Sequence, residues 1–341
     1  MAATLDLIKK PTARGAPRPL RCVTLKAFAG LLAVFGAACG SPAPSNERAT
    51  ADARCSAIEI LVGFGIGGGT DLFSRTLAGA LRKDLGAPVQ VVNITGGSGV
   101  SAFRELMKRP ANGCTLLALT SDYVVLHTLQ PKDVDLNRLA PLARAHTELG
   151  LLSGRADGPA SWDALVALAK AEDRRLLIGG VGARSFDRAA VDITLADAGI
   201  AYRYIPYSGA KAMQTDLFGG RLDAVYDEFG VMKPVYEAGA ARPFMVFNDE
   251  PIALLPDTPT ASALGLNVAP SIWRGVAMHW ETPGADIDRL ALAIGRALQS
   301  DSYKTYEAQR RLDLMQGGLS AADFTTALAS DQREFAAVLI K

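Results

Sequence analysis

From residue 57 onwards, short apolar runs alternate with longer runs in which apolar residues recur every three or four positions. Apolar runs bounded by glycine or polar turn residues are typical of buried strands, and the longer periodicity is typical of amphipathic helices. Because the two kinds of run alternate through short loops, the pattern predicts an α/β fold with mainly parallel sheets. The predicted strands are Ala57–Phe64, Val89–Asn93, Thr115–Thr120, Arg175–Gly179, Tyr202–Pro206, Ala224–Asp227 and Ala241–Phe247. The predicted helices are Asp71–Leu85, Val100–Lys108, Ser161–Ala171, Ser185–Ala198, Gly209–Phe218, Gly230–Ala238, Gly284–Leu298 and Ala321–Ile340.

The segment Ile58–Arg75, IEILVGFGIGGGTDLFSR, is the most informative part of this pattern. Its apolar beginning predicts a strand and its glycines predict a bare turn. Thr70-Asp71 predicts the start of a helix, where a hydroxyl or a carboxylate can cap free backbone N–H groups. A glycine turn lets backbone N–H groups approach a ligand closely, and the helix end carries about half a positive charge. The segment therefore predicts a site for a carboxylate or a phosphate.

A second strand–glycine–helix unit occurs at Leu176–Ser185, where an apolar strand leads into Gly180-Val181-Gly182-Ala183-Arg184-Ser185. We expect the two glycine turns to face each other across a cleft. Ligands in open α/β sheets sit at the carboxyl ends of the strands, and further polar loops are predicted there. These loops are Asn93–Gly99, Thr120-Ser121, Pro206–Gly209 and Asp227-Glu228.

The amino-terminal region has the pattern of a secretory signal. Six basic residues and one acidic residue precede the apolar segment Ala27–Ala38, which is too short to remain as a membrane-spanning helix and ends in small residues before Cys39. Gly36-Ala37-Ala38-Cys39 resembles a lipoprotein cleavage box, so Cys39 is the predicted lipidation site. We interpret 1–38 as a signal peptide and 39–56 as a flexible tether, which together predict a periplasmic protein with a lipid anchor.

Charge and length narrow the class of protein further. A chain that begins at Cys39 carries a net charge of −4, against +1 for the whole sequence, and keeps no basic patch for nucleic acid. A chain of this length usually forms two domains. No cysteine–histidine cluster has metal-ligand spacing, so we expect no metal and no cofactor.

Two cysteines remain after the predicted signal. Cys55 and Cys114 each precede an apolar strand, and the first and third strands of a doubly wound sheet are parallel neighbours. Their starting ends are then adjacent, and export supplies an oxidising compartment. The sequence therefore predicts a disulfide between Cys55 and Cys114.

The order of these motifs resembles the extracytoplasmic solute receptors of the tripartite tricarboxylate transporter family, often called Bug receptors. The resemblance runs from about Ile58 to Lys341 and rests on motifs whose order and spacing match. These are Val62–Asp71 with Arg75, Val92-Asn93 with Gly96–Gly99, Asn112–Leu116, Pro206–Gly209, Leu255–Thr260 and Trp273-Arg274-Gly275. The family implies a two-domain, periplasmic-binding-protein-like (type II) flytrap without enzymatic activity. It captures a small organic carboxylate and delivers it to a membrane permease, and we expect a monomer.

The resemblance and the loops together give a set of expected ligand contacts. The chain departs from the family at the second glycine turn, where Ala183 and Phe186 replace a usual Ser and His. We expect Arg184 to pair with a carboxylate there. The full set is Ile66, Gly67, Gly68, Gly69, Thr70, Asp71, Gly97, Ser98, Gly99, Thr120, Ser121, Gly182, Ala183, Arg184, Ser185, Tyr207, Ser208, Gly209 and Asp227.

The resemblance also predicts where the chain crosses between domains. We expect domain 1 to comprise 57–149 and 275–341, and domain 2 to comprise 150–274.

Other functions remain as alternatives. Gly63-x-Gly65-x-x-Gly68 matches a dinucleotide fingerprint, but a Rossmann-type oxidoreductase needs an acidic residue after the second strand, where this chain has Asn93-Ile94-Thr95. A hydrolase is disfavoured because no Gly-x-Ser-x-Gly elbow is present. A receptor that feeds a sensor protein has the same ligand chemistry, so the sequence does not separate it from a transport receptor.

Overall fold

A computed structural model describes residues 55–171, 174–196, 198–268 and 271–340. The predicted signal peptide, the lipidation site Cys39 and the tether up to residue 54 lie outside these residues. Within the described part of the chain, no helix is both long enough and apolar enough to cross a membrane.

Strands and helices alternate through the described residues. The strands are β1 (Ile58–Val62), β2 (Val89–Asn93), β3 (Thr115–Thr120), β4 (Leu139–Glu148), β5 (Gly150–Arg155), β6 (Leu176–Val181), β7 (Tyr202–Tyr207), β8 (Ala224–Glu228), β9 (Ala241–Val246) and β10 (Ile272–His279). The helices are α1 (Gly69–Leu85), α2 (Val100–Leu106), α3 (Asp122–Leu129), α4 (Trp162–Ala171), α5 (Phe186–Leu195), α6 (Ala210–Phe218), α7 (Phe229–Glu237), α8 (Gly284–Leu298), α9 (Asp301–Arg310) and α10 (Ala321–Leu339).

The strands form two mixed sheets, which confirms the predicted α/β class. The first sheet has the order β2-β1-β3-β10-β4 and the second has the order β7-β6-β8-β5-β9. In the first sheet β1 is parallel to β2 and β3, whereas β10 is antiparallel to β3 and β4. In the second sheet β6 is parallel to β7 and β8, whereas β5 is antiparallel to β8 and β9. Each sheet therefore joins a parallel half to an antiparallel half, whereas the sequence predicted mainly parallel sheets.

Strand β1 shows why the apolar runs become central strands. Ile60 packs with residues of α1 on one face of the first sheet, and Leu61 packs with residues of α2 and α3 on the other face. A strand covered on both faces is apolar along most of its length, and in β1 the exception is the half-buried Glu59, which pairs with Arg109. Directly after it, Gly63 lies against Gly99 and Tyr123, where a Cβ atom would come within 2.7 Å of the Gly99 Cα.

The predicted disulfide between Cys55 and Cys114 is present. Its Cα atoms are 5.6 Å apart, within the range that a disulfide spans. Strands β1 and β3 pair in parallel, with Glu59 opposite Thr115, so the two cysteines lie side by side at the start of these strands. The predicted reason for the bond, adjacency of the first and third strands, is therefore confirmed.

Five elements fall where the sequence predicted none: β4, β5, β10, α3 and α9. The predicted loop at Thr120-Ser121 is instead the end of β3 followed directly by α3. Strand β10 belongs to the first sheet and begins at Ile272, which lies before residue 275, where the sequence predicted the return to domain 1. The predicted bounds of the two domains stay a prediction.

Candidate functional site

A cleft of about 860 Å³ lies between the two sheets. The first sheet contributes the glycine turn after β1 and the junction of β3 with α3. The second sheet contributes the turn before α6 and the junction of β8 with α7. Nine of the predicted contacts line this cleft: Ile66, Gly67, Gly68, Gly69, Thr70, Thr120, Ser208, Gly209 and Asp227.

The glycine turn leads into α1 at Gly69, with Gly68 before it and no side chain capping the helix. This differs from the predicted capping by Thr70 or Asp71. Asp71 instead accepts the Gly67 N–H at 2.9 Å, and the Gly68 N–H donates to the Gly65 carbonyl at 3.3 Å. The first N–H groups of a helix have no partner within the helix, and no side chain of the described residues caps α1, so the N–H groups of Gly69 and Thr70 are available to a ligand.

Asp71 itself is buried and does not line the cleft. Its oxygens accept hydrogen bonds from Arg75 Nε and Asn93 Nδ2, each at 2.9 Å, in addition to the Gly67 N–H. Burial opposes ionisation, but these hydrogen bonds hold the pKa of Asp71 below its ordinary value. The geometry gives Asp71 a role in shaping the turn.

Arg274, from β10, is buried beside the start of α1. Its Nε donates to Thr70 Oγ1 at 3.2 Å, and a Cβ atom on Gly69 would overlap the guanidinium. Glu148 and Glu228 form ion pairs with it from opposite sheets, the second at 2.8 Å. Burial lowers the pKa of Arg274 to about 10, and it still carries its charge at neutral pH.

Two further acids that the sequence did not assign, Asp122 and Asp187, also line the cleft. Asp122 accepts Thr120 Oγ1 at 2.8 Å and the N–H of Phe186 at 2.9 Å, so it links the two halves of the protein. Asp187 accepts the Val181 N–H at 2.8 Å. Burial raises the pKa of both, and that of Asp187 rises further because of the nearby charges of Glu228 and Asp122.

Arg310, the last residue of α9, also lines the cleft. Its backbone and side chain pack against Gly230 at the start of α7. Its Nε and Nη2 atoms are buried and have no hydrogen-bond partner among the described residues. Buried N–H groups of a charged side chain are rarely left unpaired, so Arg310 is a candidate partner for a bound anion.

The remaining predicted contacts lie outside the cleft wall. Several hold the two halves of the protein together: Ser98 Oγ lies against Gly182, and Arg184 donates to Gln130 at 2.8 Å. Others are bonded locally, since Tyr207 donates to Asp216 at 2.7 Å. The predicted contacts outside the wall are Asp71, Gly97, Ser98, Gly99, Ser121, Gly182, Ala183, Arg184, Ser185 and Tyr207.

Sequence reasoning missed Asp122, Asp187, Arg274 and Arg310, and it placed Glu228 in a polar loop without naming it as a contact. Asp122 and Asp187 could have been found by adjacency, because each lies within two residues of a predicted contact. Arg274 lies in a motif that supported the resemblance, but nothing in the sequence places it beside α1. Arg310 had no signal because α9 itself was not predicted.

Two mixed α/β sheets on either side of one cleft define the class of two-domain solute-binding proteins. The sequence over residues 73–341 matches the family described as "Tripartite tricarboxylate transporter family receptor", and the chain belongs to that family. Receptors of this family are extracytoplasmic.

Individual relatives agree with this assignment. BugT of Bordetella pertussis is 30% identical over 280 residues, which cover 79% of this chain and 85% of BugT. A "UPF0065 protein" of Cupriavidus necator is 26% identical over 253 residues, 72% of this chain and 76% of the relative.

Solved structures show the same fold. An R. palustris protein with adipate aligns with a TM-score of 0.75 at 25% identity, covering 82% of this chain and 95% of that protein. MatC from Rhodopseudomonas palustris with bound malate aligns with a TM-score of 0.73 at 21% identity, covering 83% of this chain and 98% of MatC.

Proposed function

We propose that this protein captures a small organic carboxylate in the cleft and delivers it to the membrane permease of a tripartite tricarboxylate transporter. Family membership supports the receptor role, and malate and adipate are present in two structures of the same fold. The chain acts by binding and release, without chemistry on the solute.

The observation that carries this proposal is that Nε and Nη2 of Arg310, in the cleft wall, have no hydrogen-bond partner in the part of the chain that the structure describes. A guanidinium presents its N–H groups in a fork that matches a carboxylate. Arg274 already forms ion pairs with Glu148 and Glu228, so we assign the solute carboxylate to Arg310 rather than to Arg274.

The start of α1 supplies a second anchor for the carboxylate. The N–H groups of Gly69 and Thr70 lie at the positive end of this helix, and both residues line the cleft. The bare backbone of the glycine turn lets a solute approach these groups. We retain the turn residues, from Ile66 to Thr70, as the proposed binding surface of the first sheet.

Capture requires that the closed form gain contacts with the solute, because a ligand shifts a conformational equilibrium only through differential affinity. Contacts between the two halves form around Asp122 and Arg184, at the hydrogen bonds to the Phe186 N–H and to Gln130. We propose that Gly182–Ser185 and Tyr207–Gly209 approach the solute on closure. Lipidation at Cys39 would hold the receptor at the membrane near its permease.

The test is calorimetric titration of the purified receptor with a carboxylate library, followed by the variant Arg310→Gln. We expect at least one carboxylate to bind and Arg310→Gln to weaken it by about tenfold or more, because hydrogen bonds to a charged group are strong. Arg296→Gln is the matched control, since Arg296 is exposed on α8 and pairs with Asp84. Equal affinities in the two variants would remove Arg310 from the site.

Delivery needs a separate experiment. Uptake of the identified carboxylate should stop in cells that lack the receptor and return when the receptor is supplied. Normal uptake without the receptor, together with a lost transcriptional response to the solute, would favour the alternative in which the receptor serves a sensor protein.

A further inference from the structure

The part of the cleft wall that faces the glycine turn is rich in carboxylates. Asp227 and Glu228 lie at the end of β8, Asp187 lies in the first turn of α5, and Asp122 opposes them from α3. All four are buried and line the cleft. A site for a purely anionic solute has no need of so many acids.

Most of these carboxylates have partners. Both oxygens of Asp122 accept hydrogen bonds, one from the Thr120 hydroxyl and one from the Phe186 N–H. Asp187 accepts the Val181 N–H. Glu228 forms its ion pair with Arg274 at 2.8 Å. These contacts account for three of the four acids as parts of the framework.

Asp227 is different. It is 2% exposed, and its Oδ1 accepts the Glu228 N–H at 2.9 Å. Its Oδ2 is buried and has no hydrogen-bond partner among the described residues. Burying a carboxylate oxygen without a partner costs free energy, so such an oxygen in the wall of a binding cleft marks a place for a donor from the ligand.

None of the basic side chains that line the cleft, Arg274, Arg310 and Lys211, is a hydrogen-bond partner of Asp227 Oδ2. Arg274 is shared between Glu148 and Glu228, and it packs against the start of α1. Arg310 packs against Gly230. Lys211 lies on the exposed first turn of α6. Burial, the neighbouring charge of Glu228 and a hydrogen bond shared with the Glu228 side chain raise the pKa of Asp227 well above its ordinary value. A cation beside Asp227 would offset the burial and the negative charge of Glu228.

We propose that Asp227 Oδ2 receives a protonated nitrogen of the solute, so that the receptor prefers an amino-bearing carboxylate, such as an amino acid, over the corresponding acid without the amino group. This inference rests on the proposed function, because it assumes that a carboxylate solute enters the same cleft. Asp227 would then select among carboxylates, while Arg310 and the start of α1 would hold the carboxylate common to all of them.

The test uses matched pairs of probes that differ only in the amino group: L-glutamate and glutarate, L-aspartate and succinate, L-phenylalanine and 3-phenylpropionate. Calorimetry on the purified receptor should show at least one pair in which the amino-bearing member binds about tenfold or more tightly. Asp227→Asn should remove this difference, because it should weaken the amino-bearing member more than the other member.

Controls separate this inference from the proposed function. Asp157→Asn changes an exposed aspartate paired with Arg155 and should keep the preference. Arg310→Gln should weaken both members of a pair. If the members without an amino group bind as tightly as their partners, the inference is overturned and the proposed function stands. If none of the six probes binds, the inference is overturned and the proposed function depends on the wider library. Asp227→Asn should melt at or above the wild-type temperature, because it removes a buried negative charge whose Oδ2 has no hydrogen-bond partner among the described residues.

Discussion

At the scale of single residues, Asp71 determines the shape of the turn that opens the cleft. One of its oxygens accepts the Gly67 N–H, and the other accepts Asn93 Nδ2, which also donates to the Phe64 carbonyl at 3.1 Å. Arg75 adds an ion pair one helical turn away. One buried carboxylate therefore connects the turn after β1, the end of β2 and the body of α1.

We expect Asp71→Ala to lower the free energy of unfolding by about 1–3 kcal/mol at neutral pH, because it leaves buried donors without their acceptor. Hydrogen bonds hold the folded-state pKa of Asp71 below its ordinary value, so its contribution is present above the unfolded pKa and is lost as pH falls through the folded pKa. Urea unfolding of the wild type and of Asp71→Ala, from neutral to strongly acidic pH, measures the difference in their free energies of unfolding. Asp163→Ala, an exposed acid in the first turn of α4, is the control. A penalty that does not shrink in acid would contradict the ionic part of the argument.

At the scale of elements, the disulfide fixes the starts of β1 and β3 beside each other. Strand β1 carries the glycine turn at its other end, and β3 leads into α3 with Asp122. The two strands pair over Glu59 to Leu61, and any shift in their register would move both sides of the first-sheet cleft wall. The covalent bond lies at the end of the sheet away from the cleft.

Removing the bond should destabilise the protein without changing its binding site. The sequence separation of the two cysteines is 59, and the chain-entropy treatment of such a loop gives about 4 kcal/mol. We expect the Cys55→Ala, Cys114→Ala double variant to unfold at lower denaturant concentration and to keep its carboxylate affinity in the folded range. A change in affinity as large as that of Arg310→Gln would mean that the bond sets the geometry of the cleft.

At the scale of the whole molecule, the two sheets are joined by more than the connecting strands. One apolar cluster contains residues from both sheets, and Phe186 of α5 packs edge-on against Phe335 of α10 at 5.9 Å between ring centroids. Polar contacts surround this cluster, among them the Arg184–Gln130 and Asp122–Phe186 hydrogen bonds. Asp122 therefore joins the two halves of the protein and also lines the cleft that we propose for the solute.

Variants of Arg184 and Gln130 distinguish a direct contact of Arg184 with the solute from an effect on closure of the cleft. In the structure Arg184 donates to Gln130 and lies outside the cleft wall, so we expect Arg184→Ala and Gln130→Ala to weaken carboxylate binding equally, by about threefold or less, as is usual for an exposed pair. Calorimetry on the two variants and on their combination measures this. A loss of tenfold or more in Arg184→Ala alone would support the direct pairing with the solute that the sequence predicts.

The sequence by itself determined the local units. Strands β2 and β3 have the predicted bounds, and a glycine turn follows β1 and leads into α1 as predicted. The second glycine turn also leads into a helix, but it begins at Gly182, because Gly180 and Val181 belong to β6. Cys55 and Cys114 pair because the neighbouring order of β1 and β3 follows from the alternating pattern. These features depend on apolar periodicity and glycine geometry, which act between residues close together in the chain.

Only the tertiary structure decided the rest. Strand β10 pairs with β3 and β4, far away in sequence, and α3 is so apolar that it has no polar face to reveal a helical period. Helix α9 is largely polar, so nothing in its pattern predicted it or placed Arg310. The sequence also did not predict how the charged residues of the cleft pair, because these pairs form between residues far apart in the chain. Arg274 forms ion pairs with Glu148 of the first sheet and Glu228 of the second. Asp227 Oδ2 is buried where no donor from the described residues reaches it. Such contacts depend on long-range packing, which no local sequence pattern encodes.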